Sequence, residues 1–345
     1  TKFGSAKKRT TPFCSSASSK MPTCVDPALN PNKIAPALEL VAGMFPAIAL
    51  PTAPDVLVEP EPKNRLPIEP TDWKGKIDYR NLDSDFAAIA RRPEMAGLAV
   101  AIVEDGDLRF VQTYGVTDKN SGEWVMPQTV FRWASVSKGV AGILAAKLSE
   151  EAAIDVDAPL TRWQTSLRLP GGAQSSISMA QLLSHQTGLI KNAYDGRLEN
   201  GEDPDLLRSQ LAGVQLKCPP TTCHSYQNIA FDAASRMLGQ ASGAPYSDTV
   251  EERLFEPLGM DSAKLGMAGL TGAESWARPH RGDEVRTLVE SYWKLPAAAG
   301  VNSNIVDMAR WMQAQSRPCP VASPCCPPVY RPCPVTLAAV TQLRC

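Results

Sequence analysis

Apolar positions along this chain change period repeatedly, and each change marks an element. From Asn81 to Arg92, Leu82, Phe86 and Ile89 share one face at helical spacing, with Asp83 and Asp85 in the first turn. Gly97–Val103 and Leu108–Val116 are short apolar runs joined across Glu104–Asp107, so they predict two strands, and Asp105-Gly106 is a hairpin turn signal. The pattern then turns helical for nearly 200 residues. Ser135–Glu150 carries Val136, Val140, Ile143, Leu144 and Leu148 at steps of three and four. Ser178-Met-Ala-Gln181 has the capping-box form ahead of Leu182 and Leu183, with Gly188 as the stop. Asn228 predicts the cap of a helix through Leu238, Ser247 the start of one ending before Pro257, and Ser303 or Asn304 the start of one carrying Ile305, Met308, Ala309 and Met312.

The two ends are different material. Residues 1–30 are rich in Ser, Thr and Lys without a hydrophobic period, which predicts disorder. Ile34–Leu50 is apolar but broken by Pro36, Glu39 and Pro46, so it reads as a weak secretory signal or as a disordered apolar leader. Six prolines between Pro51 and Pro70 predict an extended linker, with order beginning near Trp73. The last thirty residues, Ser316–Cys345, hold five Cys and seven Pro but no Gly and no acidic residue, and do not continue the preceding pattern. The chain therefore divides into a leader and linker (1–71), one domain (72–315) and an atypical tail (316–345). No repeat of solenoid or propeller period occurs.

Composition narrows the function classes. A net charge of −1 over 345 residues gives no general attraction to nucleic acid or anionic lipid. No uninterrupted apolar stretch reaches the ~18 residues of a membrane span. Nine cysteines cannot all pair within one chain. Cys218 and Cys223, five apart around Pro219-Pro220, are equally consistent with a disulfide and with two thiols. A zinc site using both with His224 lacks a second ligand pair at suitable spacing.

The candidate chemistry lies in local clusters. Phe131-Arg-Trp-Ala-Ser135-Val-Ser-Lys138 places a serine at a helix start, and the three-residue step to Lys138 puts hydroxyl and amine on one face. The helix N-terminus favours a developing oxyanion, as an acyl-transfer nucleophile requires. Ser5-Ala-Lys-Lys8 and Ser291-Tyr-Trp-Lys294 match the same pattern, but only Ser135 follows a strand pair and opens a long apolar-striped helix. A tyrosine serves as a base where a cation stabilises its phenolate; in Tyr226-Gln-Asn228, Lys138 is the candidate cation, and the Asn228 amide suits both the lysine and a substrate amide. Tyr79-Arg-Asn81 also matches that form. His185 follows a capped apolar turn, a setting more typical of a structural histidine than of a Ser-His-Asp base. Gly-x-Ser-x-Gly, His-Glu-x-x-His, Gly-x-Gly-x-x-Gly and phosphate-loop patterns are absent.

Taken in order, Phe131–Lys138, Ile177–Leu189, Tyr226–Asn228 and Leu254-Phe-Glu-Pro-Leu-Gly-Met260 resemble the serine β-lactamase and penicillin-recognising family. Within it the chain is similar to class C β-lactamases, D-alanyl-D-alanine peptidases and family VIII esterases, and Tyr-x-Asn points away from class A. Pro296–Gly300 followed by Ser303–Trp311 resembles the family's helix entry. The resemblance covers about residues 72–315. It implies an α/β fold of α+β type, an antiparallel sheet flanked by helices, and a large helical region over about 135–297. It also implies Ser135 as nucleophile, Lys138 assisting proton transfer, Tyr226 as general base and then acid, and Asn228 orienting lysine and substrate. No cofactor or metal is implied. The expected partner is a small molecule (β-lactam, peptide or ester), and the expected protein is a monomer, periplasmic or secreted, with a cytoplasmic location as the alternative.

The chain also departs from the family pattern. Pro220-Thr-Thr222 stands where a glycine is frequent. The closing Lys-Thr-Gly or His-x-Gly strand is not found after the last helix: the last Gly is Gly300, the last Lys is Lys294, and His280-Arg-Gly282 precedes that helix and reads as a chance match. The expectation is that C-terminal strands are missing, as from a frameshift or a truncated gene. The alternative to an enzyme is then a catalytically impaired remnant or a non-catalytic ligand-binding protein.

Overall fold

The computed structural model describes residues 77–316. The expectations for the leader, the proline-rich linker, the ordered start near Trp73 and the tail beyond Ser316 lie outside the described residues. Helix α1 (Tyr79–Ala90) is capped by Asp78, whose carboxylate accepts the Arg80 and Asn81 N–H groups. It lies against the hairpin of β1 (Gly97–Glu104) and β2 (Asp107–Gly115), with the Tyr79 and Phe86 rings 5.9 and 6.1 Å from Phe110. The Tyr79 hydroxyl donates to Glu104 at 2.6 Å, so this second Tyr-x-Asn match ties a helix to a strand.

The hairpin is antiparallel, from Gly97 opposite Gly115 to Glu104 opposite Asp107. Its turn residues Asp105 and Gly106 both have positive φ, 54° and 83°, the backbone that a two-residue hairpin turn needs. Three further strands pair away from the hairpin: β3 (Phe131–Arg132) hydrogen-bonds one side of β7 (Val301–Ser303), and β4 (Lys264–Leu265) the other, all antiparallel. Strands of two or three residues leave no periodicity, which is why the sequence shows none of them.

Helix α2 (Ser137–Glu150) buries Val140, Ile143, Leu144 and Leu148 and begins two residues later than its pattern suggests. Ser135 instead occupies a single 3-10 turn, Ala134–Val136, which turns Val136 out to 52% exposure rather than onto the core face. Short helices follow: α3 (Met179–Leu183), with the capping box of Ser178 and Gln181 formed, α4 (Asp195–Glu199), α5 (Pro204–Gln210), α6 (Ala233–Ser242) and α7 (Tyr246–Val250). Helix α6 starts five residues after Asn228, because the Asn228 amide is engaged by other side chains instead of capping. The helix expected from Ser247 to Pro257 changes pitch at Glu251, passing through a π turn into a 3-10 turn that contains Pro257. After β4 come α8 (Gly266–Thr271), a small hairpin of β5 (His280–Arg281) and β6 (Glu284–Val285), α9 (Pro296–Ala299) leading into β7, and α10 (Ile305–Ser316). The stretch 135–297, expected to be helical throughout, thus also carries three short strands. His280 and Gly282 belong to the small hairpin, where His280 Nε2 accepts the Lys119 N–H at 3.1 Å. Asn304 caps α10 by accepting the Asp307 N–H at 2.8 Å.

The main core lies among α2, α3, α6 and the loops between them, with Leu144, Leu148, Ile177, Met179, Leu182, Phe231 and Phe255 fully buried. Among the described residues no helix is long and apolar enough to cross a membrane.

Candidate active site

Three local devices converge behind Ser135. Ala134 adopts φ 47°, a left-handed conformation uncommon for a residue with a side chain and of the sort that clusters at functional sites. It is enforced from both flanks: Trp133 N–H donates to the Val301 carbonyl at 2.9 Å, and Ser137 Oγ accepts the Val301 N–H at 3.0 Å. The result is an exposed Ser135 at the mouth of α2, its hydroxyl directed into a cavity of about 740 Å³.

Tyr226, ninety-one positions along the chain, donates its hydroxyl to Ser135 Oγ at 2.7 Å. Lys138 Nζ lies 3.5 Å from the same oxygen and also donates to Asn228 Oδ1 at 2.7 Å and to the Ala298 carbonyl at 3.0 Å. Three acceptors match the three N–H bonds of an ammonium. The ammonium lies 4.7 Å from the centre of the Tyr226 ring and 5.4 Å from that of Phe231. Burial lowers the Lys138 pKa below the usual lysine value, opposed by the charges of Tyr226, Asp195 and Asp232. Thus Ser135, Lys138, Tyr226 and Asn228, all singled out in the sequence, meet at one place.

The sequence reading missed the carboxylates behind them. Asn228, almost fully buried, donates its other amide group to Asp195 Oδ2 at 2.7 Å, and the Tyr292 hydroxyl approaches the same oxygen at 3.4 Å. Burial raises the Asp195 pKa, partly offset by those two donors. Asp232 is 1% exposed; its Oδ1 accepts the N–H groups of Ala297 and Ala298, and its Oδ2 accepts Arg208 Nη1 at 3.0 Å. Burial pushes its carboxyl up to about 7, while Arg208 and the two N–H groups pull the other way. One signal was available: Asp232 interrupts the apolar run Ile229-Ala230-Phe231 and Ala233-Ala234, and a charge in such a run needs a buried partner. Asp195 sits in no such context.

His185 is not in the reacting group. Its Nδ1 accepts the Gln227 N–H at 3.1 Å, and its ring centre is 4.5 Å from that of Tyr226, so it fixes the segment that carries the tyrosine. Burial depresses its pKa to about 4, assisted by Lys138 and His224. Cys218 and Cys223 form a disulfide that closes the loop beside Lys217, which lines the same cavity. The competing Ser291 is buried on a 3-10 turn, and Ser5 lies outside the described residues. No group of three or more His, Cys, Asp or Glu among the described residues could hold a metal ion. A larger cavity, about 1400 Å³, opens beside Arg208 and Trp163 and is lined by none of the four converging residues.

Comparison with known proteins gives a consistent picture. A family model described as Beta-lactamase matches residues 82–323, well over half of the chain. Esterase EstB of Burkholderia gladioli is 28% identical over 196 residues, covering 52% of this chain and 49% of the esterase. The D-alanyl-D-alanine-carboxypeptidase/endopeptidase AmpH of Escherichia coli K12 is 29% identical over 229 residues, covering 63% of this chain and 56% of AmpH. The chain spans about half the length of these curated relatives. A solved octameric penicillin-binding protein homologue from Pyrococcus abyssi shares the fold, with a TM-score of 0.60 at 20% identity over 69% of this chain and 56% of that one.

Proposed function

From the premise that the chain belongs to the β-lactamase family, we propose that it is a serine acyl hydrolase working through an acyl-Ser135 intermediate. The observation that carries this reading is the contact of Tyr226 Oη with Ser135 Oγ at 2.7 Å, with Lys138 Nζ beside both. In the first step Ser135 Oγ attacks the substrate carbonyl carbon, and its proton passes to Tyr226, whose ionised form Lys138 stabilises. The Ser135 backbone N–H, two residues before α2, is the candidate donor to the developing oxyanion. Collapse breaks the bond to the leaving group, which takes the proton back from Tyr226. A water molecule then repeats the sequence and releases the acid. Asn228 holds Lys138 on one side and is itself held by Asp195. No metal or organic cofactor enters this scheme.

The substrate class is a β-lactam, a D-Ala-D-Ala-like amide or a small ester, as suits relatives that include an esterase and a carboxypeptidase. The Cys218–Cys223 disulfide favours an oxidising compartment, periplasmic or extracellular. One observation favours a second reading, a catalytically impaired protein with little turnover. Strand β1 is the most apolar strand, yet none of its residues is buried, and among the described residues it pairs only with β2. Hydrolysis of a chromogenic cephalosporin and of short 4-nitrophenyl esters by the wild type and by Ser135→Ala decides between them. Turnover lost in Ser135→Ala supports the enzyme; binding of either compound without turnover supports the second reading.

A further inference from the structure

Arg132 lies three residues before Ser135, on β3, and is a half-buried cation without a counterion. Among the described residues it makes no ion pair and no hydrogen bond, and its Nε is buried with no partner. Its guanidinium carbon sits 3.8 Å from the centre of the Trp293 ring. Stacking of that kind occupies the face of the group and leaves its in-plane N–H bonds free for a planar, two-toothed acceptor. Burial lowers its pKa below the usual arginine value, and Tyr292 is the one group that acts in the opposite direction. Of its nitrogens only Nε is buried, so the Nη groups stay open to the cavity, where an anion would gain a charge-assisted contact.

Arg132 and Tyr292 line both the cavity that holds Ser135 and an adjoining one of about 660 Å³, whose walls include Met95, Leu270, Leu288 and Val289. The carboxylates next to Tyr292 are engaged in part: Asp195 Oδ2 accepts from Asn228 while its Oδ1 has no hydrogen-bond partner, and Glu199 accepts the Tyr292 hydroxyl at 2.7 Å. Lys191 and Lys217, both exposed, add positive charge to the rim of the Ser135 cavity.

We propose that Arg132 binds a carboxylate of the substrate through its free N–H edge while an apolar part of the same molecule fills the adjoining cavity. The site then selects substrates that carry an anionic group beside an apolar one over their neutral counterparts. As a statement about substrate selection this rests on the acyl-hydrolase reading; as a statement about binding it stands apart from it.

The test uses a matched pair of ligands, 4-phenylbutyrate and its neutral isostere 4-phenylbutyramide, titrated calorimetrically into the full chain. The wild type should bind the carboxylate at least about 10-fold more tightly than the amide, as one charge-assisted bidentate contact gives. Arg132→Gln should bring the two within about 2-fold, and Arg132→Lys, which keeps the charge but not the fork, should retain part of the preference. Equal affinities in the wild type, binding of neither ligand, or a preference that survives Arg132→Gln would each overturn the proposal. If Arg132→Gln does not melt cooperatively, Arg132→Lys carries the test, and an undiminished preference there counts against it. These titrations do not need Ser135 to react. A lost preference rule with intact Ser135 acylation therefore refutes only the anion site, and an intact preference without acylation refutes only the hydrolase reading.

Discussion

Asp232 Oδ1 accepts the Ala297 N–H at 2.8 Å, one residue before the Ala298 carbonyl that holds the Lys138 ammonium. A buried carboxylate outside the reacting group thereby sets the turn on which the lysine rests, and its charge is matched on the far side by Arg208. Asp232→Asn should leave the buried Arg208 with Asp205 as its one remaining charged partner, at a cost below the about 3–5 kcal/mol of a wholly unpaired buried charge. Chemical denaturation measures this. Adding Arg208→Met to Asp232→Asn should recover part of the loss, whereas Arg208→Met alone leaves the Asp232 carboxylate buried without its cation.

The proton route makes a separate prediction. Tyr226→Phe removes only the hydroxyl that touches Ser135, in a side chain whose ring packing against His185 is unaffected. Labelling of Ser135 by an ester phosphonate should slow about 10²- to 10⁴-fold, the range of a lost general base. The melting temperature should stay nearly unchanged. Equal labelling rates would make Tyr226 a structural residue and leave Lys138 as the base.

These residues show how the sequence could be read and where it fell silent. Ser135, Lys138, Tyr226 and Asn228 were legible because nucleophile and lysine share one helix start, and because local patterns in fixed order carry family information. The hairpin was legible from Asp105-Gly106 and its flanking runs. Asp195 and the Ala298 carbonyl were not, since a backbone oxygen has no residue type and a lone aspartate opening a five-residue helix has no pattern. Strands β3, β4 and β7 were too short for any period, although β3 and β7 fix the backbone around Ser135.

His185 predicts an acid limit to stability. Its pKa in the folded chain is depressed from 6.5 to about 4, and the Gln227 N–H needs a neutral Nδ1. A depressed folded value means the contribution is fully present above about pH 6.5 and is lost as pH falls through about 4. A gap of about 2.5 units corresponds to ~3 kcal/mol. His185→Asn keeps an acceptor and suits the positive φ of 58° at this position. The stability difference between wild type and His185→Asn should therefore shrink or reverse between pH 6.5 and 4. A difference independent of pH would show that His185 is not held neutral.

The hairpin offers a backbone prediction. Gly115 has φ 71°, and a Cβ there would lie 2.3 Å from the Ala96 carbonyl oxygen. Gly115→Ala should destabilise the fold by more than ~1 kcal/mol, read as a lower denaturation midpoint with an unchanged slope. A midpoint equal to wild type would mean the hairpin end relaxes without cost.

The central claim is that Ser135 becomes covalently acylated. Intact-mass spectrometry after incubation with a penicillin and, separately, an ester phosphonate, followed by peptide mapping, addresses it most directly. One adduct per chain is expected, located on Ser135 and absent from Ser135→Ala. An adduct that persists in Ser135→Ala, or a folded wild-type protein that takes up neither reagent, would contradict it.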